Sequence, residues 1–149
     1  MSAALHQATC VAIDGRGLLI EGPPGSGKST LALALIDRGA SLVGDDGVTL
    51  RLAEGRLLAS PAPAIAGKLE VRNLGLLDFP TASDVVVAAV IVLDPKAERW
   101  IERPEQAERH GVTLPLLRLW PDSPLLGLKA QLALERFGLR FDSPAPGRL

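Results

Sequence analysis

Residues 22–30, Gly-Pro-Pro-Gly-Ser-Gly-Lys-Ser-Thr, limit what this chain can become more than any other stretch, because they meet the spacing G-x-x-x-x-G-K-[ST]. An apolar run, Leu18-Leu19-Ile20, precedes them and a helical pattern, "KSTLALALIDRG", follows, so the loop stands at a strand-to-helix junction. Its glycines let backbone N–H groups turn toward anionic oxygens without obstruction by a Cβ, and the first turn of the next helix adds a partial positive charge. All nine positions, Gly22, Pro23, Pro24, Gly25, Ser26, Gly27, Lys28, Ser29 and Thr30, are therefore expected to line a phosphate-binding site. Lys28 would reach the β- and γ-phosphates, and the Ser29 hydroxyl would help hold Mg²⁺. A bare glycine-rich surface turn would need none of the strand, the Lys-Ser pair or the helix that accompany this one.

Length and composition bound the rest. With 149 residues and 47% hydrophobic content, a single domain over residues 1–149 is expected, with a core built from Leu, Val, Ile and Ala. The net charge is -1, no block of Lys and Arg stands out, and aromatics make up 3%. Such a chain has neither the electrostatic footprint nor the stacking platform of a nucleic-acid binder, so its partners are expected to be small anions or another protein. Cys10 stands alone and cannot close an internal disulfide, while "MSAALHQATC" lacks the charged segment and apolar core of a signal peptide, which makes the cytoplasm the expected location. The longest apolar run, "VVVAAVIVL" at 85–93, is too short to span a membrane and reads as a buried strand.

Along the chain, residues 9–13 and 18–21 read as a hairpin through "DGRG", an unusual antiparallel lead into a phosphate loop. A helix from Lys28 places Leu31, Leu35 and Ile36 on one stripe and stops at Gly39. A short strand, an acidic turn and a hairpin through Glu54-Gly55 follow, then a Pro/Ala loop at 60–68 and the strand-like "LEVRNLGLLDF". The polar segment "KAERWIERPEQAERHG" reads as surface loop with a short helix, residues 123–138 as the last helix, and residues 142–149 as a frayed tail.

Phosphoryl transfer also needs a metal site, a group that orients or deprotonates the nucleophile, and positive charge on the transferring oxygens. "GDDG" at 44–47 fits either a strand-end site with two carboxylates or a solvated Asp-Gly turn. Glu70 fits either a catalytic carboxylate or a surface ion pair with Arg72, which lies on the same face at period two. Asp94, directly after the apolar run, fits either a Mg²⁺-ordering residue or a strand-ending Asp-Pro turn. The two histidines, His6 and His110, carry no spacing that assigns them a role, Cys10 reads as core, and neither a zinc cluster nor a Ser-His-Asp pattern is present.

The succession of "GRGLLIEG", "GSGKSTLALALIDRG", "LVGDDGV" and "LEVRNLGLLD" resembles the catalytic domain of the bifunctional HPr kinase/phosphorylase, most strongly over residues 16–78. That family phosphorylates a serine of HPr, a phosphocarrier of the sugar phosphotransferase system, and can remove the phosphate again. The resemblance implies an α/β fold, a phosphate-loop domain of three layers around a mixed sheet, similar to the C-terminal domain of HPr kinase and to phosphoenolpyruvate carboxykinase. It implies ATP and Mg²⁺, with Lys28 as the loop lysine, Ser29 and Glu70 as magnesium ligands, and Asp45 as proton acceptor. His6 matches the family's active-site histidine, one residue farther from the loop than usual, and Arg103 matches its catalytic arginine, with Arg99 and Arg118 as rivals. Under this alignment Asp94 is a strand-end residue.

The implied partners are HPr or an HPr-like phosphocarrier and further copies of the chain in a hexamer. The family's N-terminal regulatory domain is missing from this sequence, which suggests a truncated, catalytic-domain-only form. "LPLLRLWPDSP" occupies the place of the "GRN"-containing loop used for dephosphorylation, so kinase activity is expected ahead of phosphorylase activity. Two other functions fit the phosphate loop: a small-molecule kinase with Asp94 at the metal and residues 95–122 as a lid, and a catalytically silent nucleotide-binding regulatory module.

Overall fold

A computed structural model describes residues 3–141; the expected frayed tail, 142–149, lies outside the described residues. The strands are β1 (Ala4–His6), β2 (Thr9–Ile13), β3 (Arg16–Glu21), β4 (Ser41–Gly44), β5 (Val48–Ala53), β6 (Arg56–Pro61), β7 (Lys68–Val71), β8 (Gly75–Asp78), β9 (Val85–Leu93), β10 (Glu105–Arg109) and β11 (Val112–Leu119). The helices are α1 (Lys28–Asp37) and α2 (Leu126–Phe137), with a 3₁₀ turn at Pro63–Ile65.

Local chemistry sets the hairpins. Asp14 and Gly15 both take left-handed backbone, at φ 49° and 81°, and so do Glu54 and Gly55, at 52° and 74°. These two-residue turns carry the twist that suits antiparallel neighbours, and they join β2 to β3 and β5 to β6. Nearly every residue of β9 is buried, as its unbroken apolar sequence requires of a strand covered on both faces. It runs parallel to β3 along one edge. Its other edge is shared: β6 pairs antiparallel with Val85 and Val86, and β11 pairs parallel with Val90–Leu93. The sheet order is β1-β5-β6-β9-β3-β2-β4, with β11 branching from β9 and carrying β10, while β7 and β8 form a separate hairpin.

The mixed sheet has two unlike faces. On one, Leu18, Ile20, Ile91 and Leu93 pack beneath Leu31 and Leu35 of α1 and Ala130 and Leu134 of α2. On the other, Cys10, Leu19, Val87 and Val90 meet Leu50, Leu57 and Leu114, because the sheet curls until β4 and β6 touch. Helices, central strands and the folded-over antiparallel strands thus make the layers of an α/β domain. Ala88 is an extra residue in β9 at a register shift opposite Gly17/Leu18, and it moves the alternation of faces by one position. Its carbonyl accepts a hydrogen bond from the Leu139 N–H at 2.9 Å, so the chain leaving α2 seals the bulge.

The segment 96–111 departs from expectation. It holds no helix; Glu105–Arg109 form β10, paired antiparallel to β11. Glu, Gln, Ala and Arg favour helix locally, but His110 and Gly111, at φ 49° and 84°, make a two-residue hairpin turn that hands the segment to β11. The Pro/Ala loop is also more ordered than expected, since Ser60 and Pro61 end β6 and Pro63–Ile65 form the 3₁₀ turn.

Candidate active site

β3 ends at Glu21, the loop runs from Gly22 to Gly27, and α1 starts at Lys28. Gly25 and Gly27 sit at φ 79° and 105°, backbone that any side chain would strain. No side chain caps α1 and its first turn holds no acidic residue, so the N–H groups there are free to meet an anion. The Lys28 Nζ donates to the Gly22 carbonyl at 2.8 Å, folded back across the loop. The Ser26 hydroxyl is buried without a partner, the only side-chain polar atom in that state among the described residues. A buried hydroxyl left unsatisfied costs free energy, and an oxygen-rich ligand in the loop would relieve it.

The acidic turn sits beside this loop because Gly44 allows it. A Cβ at Gly44 would run into the Gly47 carbonyl and come within 2.6 Å of Val48 Cγ1. Asp45 is far from a solvated turn residue: its Oδ1 accepts hydrogen bonds from Ser29 Oγ at 2.7 Å and Thr9 Oγ1 at 3.0 Å, and its Oδ2 accepts from the Glu70 N–H at 3.1 Å. Thr9 is fully buried, and its hydroxyl also accepts from the Asp46 N–H at 3.3 Å. One carboxylate thereby ties the start of α1, β2 and β7 together.

A cavity of about 600 Å³ opens over these groups, lined by the loop, by Asp45 and Asp46, and by Lys68, Glu70 and Arg72 of the β7–β8 hairpin. Glu70 and Arg72 form no ion pair with each other; both line this cavity. The donors suit Mg²⁺. A hydroxyl that donates its hydrogen to Asp45 keeps lone pairs for a cation, and Asp45 and Glu70 add hard carboxylate oxygens. No cluster of three or more His, Cys, Asp or Glu set for a metal occurs among the described residues. Mg²⁺ commonly takes one or two carboxylates and completes its shell with water and phosphate oxygens, so this set is sufficient.

The structure brings Lys28, Ser29, Asp45 and Glu70 to one cavity with Pro24, Gly25, Gly27 and Thr30, whereas Gly22, Pro23 and Ser26 of the loop do not line it and His6 and Arg103 lie elsewhere. Arg103 lines a second cavity of about 740 Å³ with Trp100, Glu105 and Arg118. Its rivals are engaged: the Arg99 guanidinium lies over the Trp100 ring, and Arg118 Nε donates to Glu105 Oε2 at 2.7 Å, with Asp94 at 3.6 Å from Nη1. Asp94 Oδ1 accepts from the Lys96 N–H at 2.8 Å, a strand-ending turn, and the residue does not line the phosphate cavity. His6 lies outside the cavity wall, although its neighbour Gln7 is part of it, and its Nε2 is 3.1 Å from Glu21 Oε2.

Thr9, Glu21, Lys68 and Arg109 were not singled out by sequence. Arg109 grips Glu21 with two hydrogen bonds, Nη2 to Oε1 at 2.6 Å and Nε to Oε2 at 3.0 Å. Burial by itself would raise the Glu21 carboxyl, but the hydrogen bonds from His6 and Arg109 and the charge of Arg109 outweigh it and bring the group down to about 2. Burial pushes the Cys10 thiol up to about 12, consistent with a core role.

Residues 2–112 match the family described as HPr Serine kinase C-terminal domain. The chain belongs to this family. It is 39% identical over 105 residues to an HPr kinase/phosphorylase of Clostridium tetani, an alignment that covers 68% of this chain and 34% of that protein. It is 52% identical over 68 residues to an HPr kinase/phosphorylase of Bordetella petrii, covering 45% of this chain and 22% of the relative. The chain thus spans about a third or less of the length of these curated relatives. The fold is similar to the solved Hpr(Ser) kinase/phosphatase of Coxiella burnetii, with a TM-score of 0.78 and 26% identity over 89% of this chain and 95% of that one. The α/β architecture around a mixed sheet is therefore the family's own.

Proposed function

We propose that this chain acts as an ATP- and Mg²⁺-dependent protein-serine kinase on HPr or an HPr-like phosphocarrier. The observation that carries the reading is the Asp45 carboxylate, bonded to the Ser29 hydroxyl at the foot of the phosphate loop and within the same cavity as Lys28 and Glu70. Residues 22–30 would cradle the phosphates, with Lys28 released from the Gly22 carbonyl to the β- and γ-oxygens. Ser29 and Glu70, beside Asp45, would hold Mg²⁺, which when bound neutralises charge on the phosphate oxygens. Asp45 would take the proton of the target serine as the serine oxygen bonds to the γ-phosphorus and the bond to the leaving nucleotide oxygen breaks. His6 would assist from beside the loop. Arg103 would add charge once the segment around it reaches the phosphate cavity.

The reading extends to one domain over residues 1–149, a homo-hexameric assembly and a cytoplasmic location; among the described residues no helix is long and apolar enough to cross a membrane. Phosphorylase activity would be secondary. A small-molecule kinase using Asp94 draws less support, because Asp94 is spent on the Lys96 N–H.

Incubation with Mg²⁺, labelled ATP and HPr-like carriers, followed by mapping of the labelled residue, tests the reading. Label on a carrier serine, reduced roughly 10²-fold or more by Asp45→Asn, is the expected result. ATP binding without transfer to any carrier would point instead to a silent regulatory module. A larger loss of Mg²⁺-dependent turnover in Asp94→Ala than in Glu70→Ala would restore the small-molecule kinase.

A further inference from the structure

Glu21 is the last residue of β3 and stands directly before Gly22, so the strand that launches the phosphate loop also places this side chain. Its two oxygens are fully engaged: Oε1 by Arg109 Nη2, and Oε2 by Arg109 Nε and His6 Nε2. We propose that Glu21, held by Arg109, is a positioning residue that fixes the tautomer and orientation of His6 beside the phosphate loop. The inference rests on the reading above, in which His6 serves phosphoryl transfer.

Donors and acceptors decide the ring's state. Both guanidinium nitrogens only donate, and a carboxylate in a forked pair with them only accepts. The His6 nitrogen that faces Glu21 must therefore carry hydrogen, which leaves Nδ1 as the nitrogen with the free lone pair in the neutral ring. The ring is limited further by His110, whose centroid lies 6.0 Å away in an edge-to-face arrangement at 77°. Among the described residues, the titratable groups against His6 are Glu21 and His110, with Arg109 reaching it through Glu21, and they come from β3, the turn after β10 and β10.

A purely structural pair would not need the histidine. Arg109 alone satisfies both carboxylate oxygens, and His6, with 22% of its side chain exposed, could turn to water. Its ring is instead committed to the acceptor adjoining the loop. An orienting carboxylate of this kind sets which ring nitrogen is available, and loss of such a partner typically costs a functional histidine about 10- to 100-fold.

Two readouts test the proposal. In ¹⁵N-labelled full chain, the neutral His6 ring is expected to show hydrogen on Nε2 alone, and Glu21→Gln to give a mixture. Arg109→Lys, which keeps the charge and loses the fork, should shift the tautomer in the same direction by less, and it stands in if Glu21→Gln fails to fold. In transfer assays with Mg²⁺, ATP and an HPr-like carrier, Glu21→Gln should lower kcat roughly tenfold or more while KM for ATP stays within about twofold. The same substitution should add nothing in a His6→Ala background. Hydrogen on Nδ1 in the unaltered protein, a tautomer indifferent to both variants, or an undiminished Glu21→Gln loss in His6→Ala would overturn it. If no carrier is phosphorylated at all, the functional reading fails while the ring-nitrogen measurement still decides whether Glu21 holds His6.

Discussion

The region under the phosphate loop and the region beyond β9 organise their charged side chains differently. Around Asp45, two hydroxyls and a backbone N–H converge from α1, β2 and β7 onto one carboxylate, and the cations Lys28 and Arg72 face a cavity beside the Lys68–Asp78 ion pair. Between residues 96 and 118 several charges are already engaged, Arg118 with Glu105 and Arg99 over the Trp100 ring. Charge held by neutral donors stays available to a ligand; charge already paired does not. On the proposed reading, the first region would serve as the site and the second as a flank that must move or be met by a partner to take part.

The largest effect is expected at Lys28. Lys28→Ala should lower nucleotide-dependent transfer by roughly 10³-fold, since it would remove the cation proposed to meet the transferring oxygens; full activity in a steady-state assay would remove the first region's claim. The two regions are tied together at Glu21–Arg109, and acid should expose that tie. With the Glu21 carboxyl at about 2 in the folded protein, below its unfolded value, the pair stabilises the fold above pH 4.5 and loses that effect as pH falls toward 2. Urea unfolding should find Glu21→Gln less stable than the parent at pH 7, by up to about 3 kcal/mol, with the gap closing near pH 2.

Arg103 sharpens the contrast. Arg103→Ala should reduce turnover about 10²-fold with KM for ATP little changed, if the flanking segment closes over the cavity during transfer. Unchanged turnover would leave Arg72 as the arginine of the site. Smallest of all, Glu105→Gln should shift stability by less than about 1 kcal/mol, because both partners of the Arg118–Glu105 pair are substantially exposed. A larger loss in urea unfolding would show that the flank is structurally braced.

The parts legible in the sequence were those whose cause is local. Gly22 to Thr30 carry their own geometry, Asp14-Gly15 and Glu54-Gly55 make hairpins with any strands beside them, and nine apolar residues in β9 can only be buried. The partners of Asp45 were not legible, because Thr9 lies 36 residues away and nothing about a threonine at the start of a strand announces it. The Glu21–Arg109 pair spans 88 residues and appears only once β10 is a strand. Here the helix-favouring composition of 105–109 misled, although His110-Gly111 carried the turn signal that decides the matter. Arg103 followed the family alignment, and side-chain packing then placed it in the second cavity.

The shared edge of β9 has a consequence for how the molecule comes into being. The strand that launches the phosphate loop finds its parallel neighbour only when Arg16 meets Val86 and Glu21 meets Val92, and the same neighbour must then accept β6 and β11 on its far side. During synthesis, the glycine-rich loop leaves the ribosome well before the strand that gives it a platform. Refolding should accordingly be governed by long-range parallel pairing, slow for a domain of this size, with the loop gaining affinity for phosphate in the same kinetic phase that buries β9.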